Sequence, residues 1–217
     1  AGQAEAILAA ARERPPRWDF SHLKVLVSGG EAVVEGSARR FLDLLAPFGL
    51  APAALKPGFG MSESGGGASF AHGLAALAPP EAEGRRLTNL GRPVPGLALR
   101  VVDEAGQPLP EGEVGQVQLT GPALTQGYLG DDEANAEAFR DGWFATGDLG
   151  LLADGALYLA GRSKDLIIVN GLNYGSHELE AMVEKAGGVA AAQAAAVAVR
   201  PPGAETDELA VFFCPES

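Results

Sequence analysis

Apolar residues along this chain change their spacing twice, and each change marks a change of architecture. Residues Ala4 to Arg12 place Ile7, Leu8 and Ala11 on one helical face, and Pro15-Pro16 stops that helix. Lys24 to Ser28 is a short β-rich run delivering Gly29-Gly30, a turn whose backbone can lie against a ligand. From Val34 to Phe48, Ala38, Phe41, Leu42 and Leu45 recur at helical spacing until Pro47 and Gly49 close the element. A second strand-to-loop passage then enters Gly58-Phe59-Gly60-Met61-Ser62-Glu63-Ser64. The order to this point predicts an α/β layer.

Beyond Thr88 the pattern becomes short alternation. Leu97, Leu99 and Val101 stand against Arg100, and Val117 and Leu119 stand against Gln116, Gln118 and Thr120. These are half-buried antiparallel strands, punctuated by turn signals at Glu104-Ala105-Gly106, Glu111-Gly112 and Ala153-Asp154-Gly155 at the spacing of a meander or small barrel. A helix from about Glu133 to Phe139 interrupts them. From Leu166 to Val169 a continuous apolar strand appears, followed by a glycine loop at Gly171 and a helix from about Ser176 to Lys185, with Ser176 as N-cap and Glu178 and Glu180 in its first turn. Strands at Ala194–Val199 and Glu208–Cys214 complete a small β-α-β-β unit.

Length and charge narrow the classes. With 217 residues the chain can bury one sizeable core or two small ones. Sixteen Lys and Arg against 28 Asp and Glu leave a formal charge of -12 with no basic run, which disfavours nucleic acid as a partner. No stretch is long enough to span a bilayer, and a single cysteine, Cys214, favours a reducing compartment, with the cytoplasm as the default expectation. A first residue other than methionine suggests a piece of something larger.

Three segments offer chemistry. The Phe59 to Glu63 loop presents an aromatic face, a hydroxyl and a carboxylate, groups that can stack a base, bond a phosphate oxygen and hold a divalent cation; alone it is equally well a surface loop with a buried Phe. Thr146-Gly147-Asp148-Leu149-Gly150 sets one carboxylate between glycines at a strand end, suited to a ribose diol or to an ordinary turn. Gly161-Arg162-Ser163-Lys164-Asp165 precedes a new strand, where Arg162 can meet a nucleotide and Asp165 mark a domain junction, or the whole run can be a solvated charge cluster.

Their joint order carries more than any one of them. Gly29-Gly30-Glu31, Gly60-x-Ser62-Glu63, Gly112-Glu113-x-Gly115 with Gly127-Tyr128, Gly147-Asp148, Gly161-Arg162-x-Lys164-Asp165, Gly171-x-Asn173 and Glu178-x-Glu180 together resemble the core motifs of the adenylate-forming (AMP-binding) superfamily. The chain is similar to the C-terminal part of an adenylation domain from a nonribosomal peptide or polyketide synthetase, or from a fatty-acyl-AMP ligase. The resemblance runs from about Lys24 to the end.

The resemblance implies an α/β and α+β fold. Residues 1–164 would belong to an αβα-layered large domain with an antiparallel β-barrel-like subdomain, and residues 165–217 to the hinge and a truncated small domain. It implies ATP and Mg2+, and activation of a carboxylic acid as its acyl-AMP for a carrier-protein phosphopantetheine thiol or coenzyme A. Finer texture around Gly60 to Ser64 leans to an acid without an α-amine. Carried over by position, Phe59 stacks adenine, Ser62 contacts phosphate, and Glu63 helps hold Mg2+. Asp148 holds the ribose with Arg162 assisting, and Gly29, Gly30, Glu31 and Gly60 border the pocket. Lys164 and Asp165 form the hinge, and Gly171 lines the thiol's path.

The superfamily's phosphate loop and its small-domain lysine match no segment here, so the chain alone is expected not to turn over. The stop near Ser217 fits either an arbitrary boundary or an insertion point for a ketoreductase or methyltransferase. Two rivals remain: a non-catalytic half-domain of a megasynthase, and a serine hydrolase using Ser62, Asp148 and His177, whose elbow lacks the second glycine. His22 and His72 show no ligand spacing, and Trp18 and Trp143 read as packing anchors.

Overall fold

The structure is a computed structural model, and it describes residues 18–30, 33, 35–74, 81–82, 85–162, 166–169, 172–199 and 208–215. The chain divides into two compact units, one spanning Trp18–Ala160 and the other containing the residues from Gly161 onward.

The first unit begins as the apolar spacing predicts. Strand β1 (Leu26–Ser28) leads to helix α1 (Glu35–Leu45), which buries Leu42 against Leu50, Ala54 and Leu55. Strand β2 (Leu55–Phe59) then returns parallel to β1, pairing Leu26 with Leu55 and Ser28 with Pro57. Two short antiparallel strands extend this sheet, β3 (Ser69–Phe70) and, after a small ribbon of β4 (Glu81–Ala82) and β5 (Arg85–Arg86), β6 (Arg92–Pro93).

The alternating region forms a curled antiparallel sheet in the order β11-β10-β8-β7, with β9 paired to β10. Its members are β7 (Ala98–Val102), β8 (Gly115–Thr120), β9 (Phe139–Arg140), β10 (Trp143–Ala153) and β11 (Ala156–Arg162), with helix α2 (Asp132–Ala138) between β8 and β9. Alternation explains its burial: Val117 and Leu119 are fully enclosed while Gln116 is exposed. Asp154 and Gly155 both take positive φ, closing the β10–β11 hairpin that the Asp-Gly pair predicts.

One core joins the two sheets, built from Phe59, Ala68, Leu90, Leu97, Val117, Leu119 and Leu157. The seam between them is hydrogen-bonded, Leu90 N donating to Leu157 O at 2.9 Å and Leu157 N to Gly91 O at 2.9 Å. Gly91 is required there, because at φ +81° a Cβ would sit 1.8 Å from the Phe70 carbonyl oxygen.

The second unit departs from the expected β-α-β-β order. Before its helix α3 (Ser176–Ala186) stand two strands, β12 (Leu166–Val169) and β13 (Leu172–Gly175), paired antiparallel with Val169 opposite Leu172. The order is therefore β-β-α-β-β. Strand β14 (Val189–Val199) is also longer than expected and pairs with β15 (Glu208–Pro215). Glu180 of α3 accepts from Ala196 N at 3.0 Å, which ties helix to strand. The expected helix at Ala4 to Arg12 lies outside the described residues.

Candidate functional site

Parallel pairing of β1 and β2 brings the two glycine loops to the same strand ends. In α/β sheets, ligands bind outside the carboxyl ends of such strands. Gly29 follows β1 so closely against β2 that a Cβ would approach Gly58 O to 2.7 Å. Gly60 follows β2 with as little room, since a Cβ would lie 2.4 Å from Gly66 O. Gly30 has φ +87° and open space around it. Glu31 lies outside the described residues.

After Gly60 the chain makes one 3-10 turn, Ser62–Ser64. Ser64 is buried and ties the turn to its start, accepting from Met61 N at 3.2 Å and donating to Met61 O at 3.1 Å. Ser62 is left exposed at the head of the turn. A single 3-10 turn is not the strand-to-helix elbow a serine nucleophile needs. His177 lies on α3, in the other unit. Phe59 ends β2 inside the shared core and is 8% exposed, with Met61 packed against the same cluster.

Glu63 is held on both sides. Its carboxylate Oε1 accepts from the Tyr128 hydroxyl at 2.8 Å, and its carbonyl accepts from Thr125 N at 2.8 Å. Burial, together with the neighbouring carboxylate, pushes the Tyr128 phenol up to about 12. Tyr128 is itself fixed by Asn135 of α2, whose Oδ1 accepts from Tyr128 N at 2.6 Å and whose Nδ2 donates to Tyr128 O at 2.8 Å. Sequence reasoning gave neither Tyr128 nor Asn135 a role. The Gly127-Tyr128 pair was the available signal.

Asp148 sits within β10 rather than at a strand end. The register of β10 against β8 shifts between Ala145 and Leu149, and Gly147 at φ +76° lies in that bulge. Thr146 stitches it: its hydroxyl donates to Val117 O at 3.0 Å and accepts from Asp148 N at 3.1 Å. Asp148 is 5% exposed, a burial more demanding than a surface turn. Through Val117 the bulge abuts the core that contains Phe59. Gly150 belongs inside the strand too, since a Cβ there would meet Tyr158 O at 2.5 Å.

Arg162 is exposed at the end of β11 and belongs to the second unit. Lys164, Asp165 and Gly171 lie outside the described residues. Trp143 stacks with Arg100, the guanidinium carbon 4.1 Å from the ring centre, and Trp18 packs on Phe20 and Phe48.

Among the described residues no group of three or more His, Cys, Asp or Glu could cage a metal alone. The donor set fits a hard cation that takes one protein carboxylate and fills its remaining positions with phosphate oxygens and water. A carboxylate can keep one oxygen on a tyrosine and offer the other to such an ion. Beside the Glu63 turn, a cleft of about 230 Å³ is lined by Thr120, Leu124, Thr125, Phe139 and Phe144. That is smaller than the roughly 300–1,000 Å³ of ordinary ligand pockets.

The model of the AMP-binding enzyme family matches residues 3–129. The chain belongs to the AMP-binding enzyme family. It is 36% identical over 203 residues to the nonribosomal peptide synthetase apvA of Aspergillus terreus, covering 93% of this chain and 22% of that one. It thus spans less than a quarter of that relative's length. The solved structure of McyG A-PCP complexed with phenylalanyl-adenylate matches with TM-score 0.85 and 41% identity, over 99% of this chain and 33% of that one. The adenylation, ketoreductase and pseudo Asub structure of a keto acid-selecting NRPS module matches with TM-score 0.80 and 41% identity, over 91% of this chain and 18% of that one. The chain's mixed α/β fold is the one expected from the sequence, and it matches the corresponding part of these adenylation structures. Among its described residues no helix is long and apolar enough to cross a membrane.

Proposed function

We propose that this segment forms the nucleotide-facing wall of an adenylation domain that activates a carboxylic acid with ATP and Mg2+ and passes the acyl group to a carrier-protein thiol. The observation that supports it most is the clasped Glu63 carboxylate beside two glycine loops at the ends of parallel strands. Residues 1–164 belong to the large lobe and 165–217 to the hinge and small lobe. The compact units part between Ala160 and Gly161, close to this boundary but not at it.

A carboxylate oxygen of the acid attacks the α-phosphorus of ATP, the bond from that phosphorus to the bridging oxygen breaks, and pyrophosphate leaves with the electron pair. Mg2+, when bound, offsets the charge on that leaving group. Glu63 orients toward the cation and Ser62, exposed at the turn, contacts a phosphate oxygen. Asp148 accepts from the ribose hydroxyls, and the Phe59 ring faces adenine from β2. Gly29, Gly30 and Glu31 border the adenine and acyl pockets, Gly60 lets the nucleotide approach the backbone, and Gly171 lines the path of the thiol. The acid we favour is one without an α-amine; 41% identity to a keto acid-selecting module supports it, and the equal identity to McyG A-PCP, complexed with phenylalanyl-adenylate, makes the side-by-side comparison of keto and amino acids the deciding assay. The setting is cytoplasmic.

ATP–pyrophosphate exchange by the full-length synthetase tests this reading, with keto and amino acids offered side by side. Glu63→Gln and Asp148→Asn are each expected to lower exchange by about 100-fold, the scale of losing a group that stabilises transition-state charge. Exchange kept within twofold in both variants refutes the assignment, whereas robust exchange by the isolated chain refutes only the expectation that it does not turn over alone.

A further inference from the structure

We propose that Tyr128 is a positioning residue for the phosphate-side chemistry, and that Asn135 sets it in place. The proposal rests on Glu63 serving the cation, as above. The Glu63 side chain stands on a glycine-flanked turn, so the turn alone leaves its rotamer open. Tyr128 removes that freedom by donating its hydroxyl to Oε1 at 2.8 Å, while Thr125 N fixes the Glu63 carbonyl from the same loop.

Tyr128 in turn has little freedom of its own. Asn135 grips its backbone from both sides with bonds of 2.6 and 2.8 Å. Phe139 packs edge-on against its ring at a centroid distance of 6.0 Å and rests on Phe144 at 4.9 Å. Gly127 allows the close approach, because a Cβ there, at φ +151°, would come within 2.9 Å of Asn135 Oδ1. Asp131 caps α2 by accepting from Ala134 N at 2.9 Å, so the helix carrying Asn135 starts at a fixed point. The chain of contacts runs α2, Asn135, Tyr128, Glu63. Such outer contacts hold a ligating carboxylate in its productive direction before the ion arrives.

The test uses the full-length synthetase carrying Tyr128→Phe, Glu63→Gln, both together, Asn135→Ala and Asn135→Asp. Two quantities are read: Mn2+ affinity by electron paramagnetic resonance beside a non-hydrolysable ATP analogue, and the Mg2+ concentration giving half-maximal pyrophosphate exchange. Tyr128→Phe is expected to weaken Mn2+ binding about tenfold, the low end for loss of an outer partner, and to raise the Mg2+ requirement equally. Its melting temperature should change little, and it should add nothing in the Glu63→Gln background. Asn135→Ala should act in the same direction, and Asn135→Asp, which keeps the acceptor for the Tyr128 amide, should recover part of the loss. Mn2+ affinity unchanged in Tyr128→Phe but lost in Glu63→Gln overturns the positioning role and spares the reading of Glu63. Affinity kept in Glu63→Gln overturns both. A lower melting temperature with unaltered Mn2+ affinity in Tyr128→Phe marks a structural tyrosine and also overturns it.

Discussion

Tyr128 sets its ring against Phe139 and donates its hydroxyl to Glu63, and burial together with that carboxylate opposes loss of its proton. Its phenol is raised from 10.0 to about 12, burial first and the Glu63 bond next. A folded-state value above the unfolded one means that the contact's stabilisation is complete below pH 10 and fades as pH rises toward 12. Absorbance titration of the isolated chain, free of divalent cations, should therefore show a tyrosine ionising near pH 12, and Tyr128→Phe should remove that amplitude. Tyr158 is also raised by burial, so the comparison with the variant is what assigns the late step. If the late amplitude survives in Tyr128→Phe, the Glu63–Tyr128 bond is absent in solution. Glu63 was legible in the sequence because Gly60-x-Ser62-Glu63 is a local pattern. Its partner lies 65 positions away and is set by tertiary packing, which no local pattern encodes.

The elements show the same division. Helix α1 and strands β7 and β8 were legible because each carries one clear period, 3.6 or 2. Strand β10 was not, since Gly147 and Gly150 read as turn signals. Both glycines are in fact demanded inside the strand, one by a bulge with positive φ and the other by the Tyr158 carbonyl. The β12–β13 hairpin was missed although Asn170-Gly171 between two strand runs is a strong two-residue turn signal. Within β10, Thr146 is what holds Asp148 in its bulge. Thr146→Val keeps the shape, removes both hydroxyl bonds, and should cost about 1–3 kcal/mol in denaturant unfolding because a buried partner is left unsatisfied. The full-length variant should also show a raised KM for ATP with a smaller change in kcat. An unchanged KM together with an unchanged unfolding midpoint would contradict the role given to the bulge.

At the scale of the molecule, the ordered series of motifs made the family legible, and the family match over residues 3–129 agrees with it. Pocket geometry was not legible in the same way, because it arises where separate segments meet. The Phe59 loop and the Asp148 bulge come from different sheets, and both border the core that contains Val117. The chain covers 22% of the length of apvA. On the proposed reading this segment should carry the adenine contact. The most direct measurement is photolabelling of the full-length synthetase with 8-azido-ATP and Mg2+, followed by peptide mapping with and without excess ATP. ATP-protected label within Gly58–Ser64 is the predicted result. Protected label confined to peptides outside Trp18–Ala160 would contradict the account.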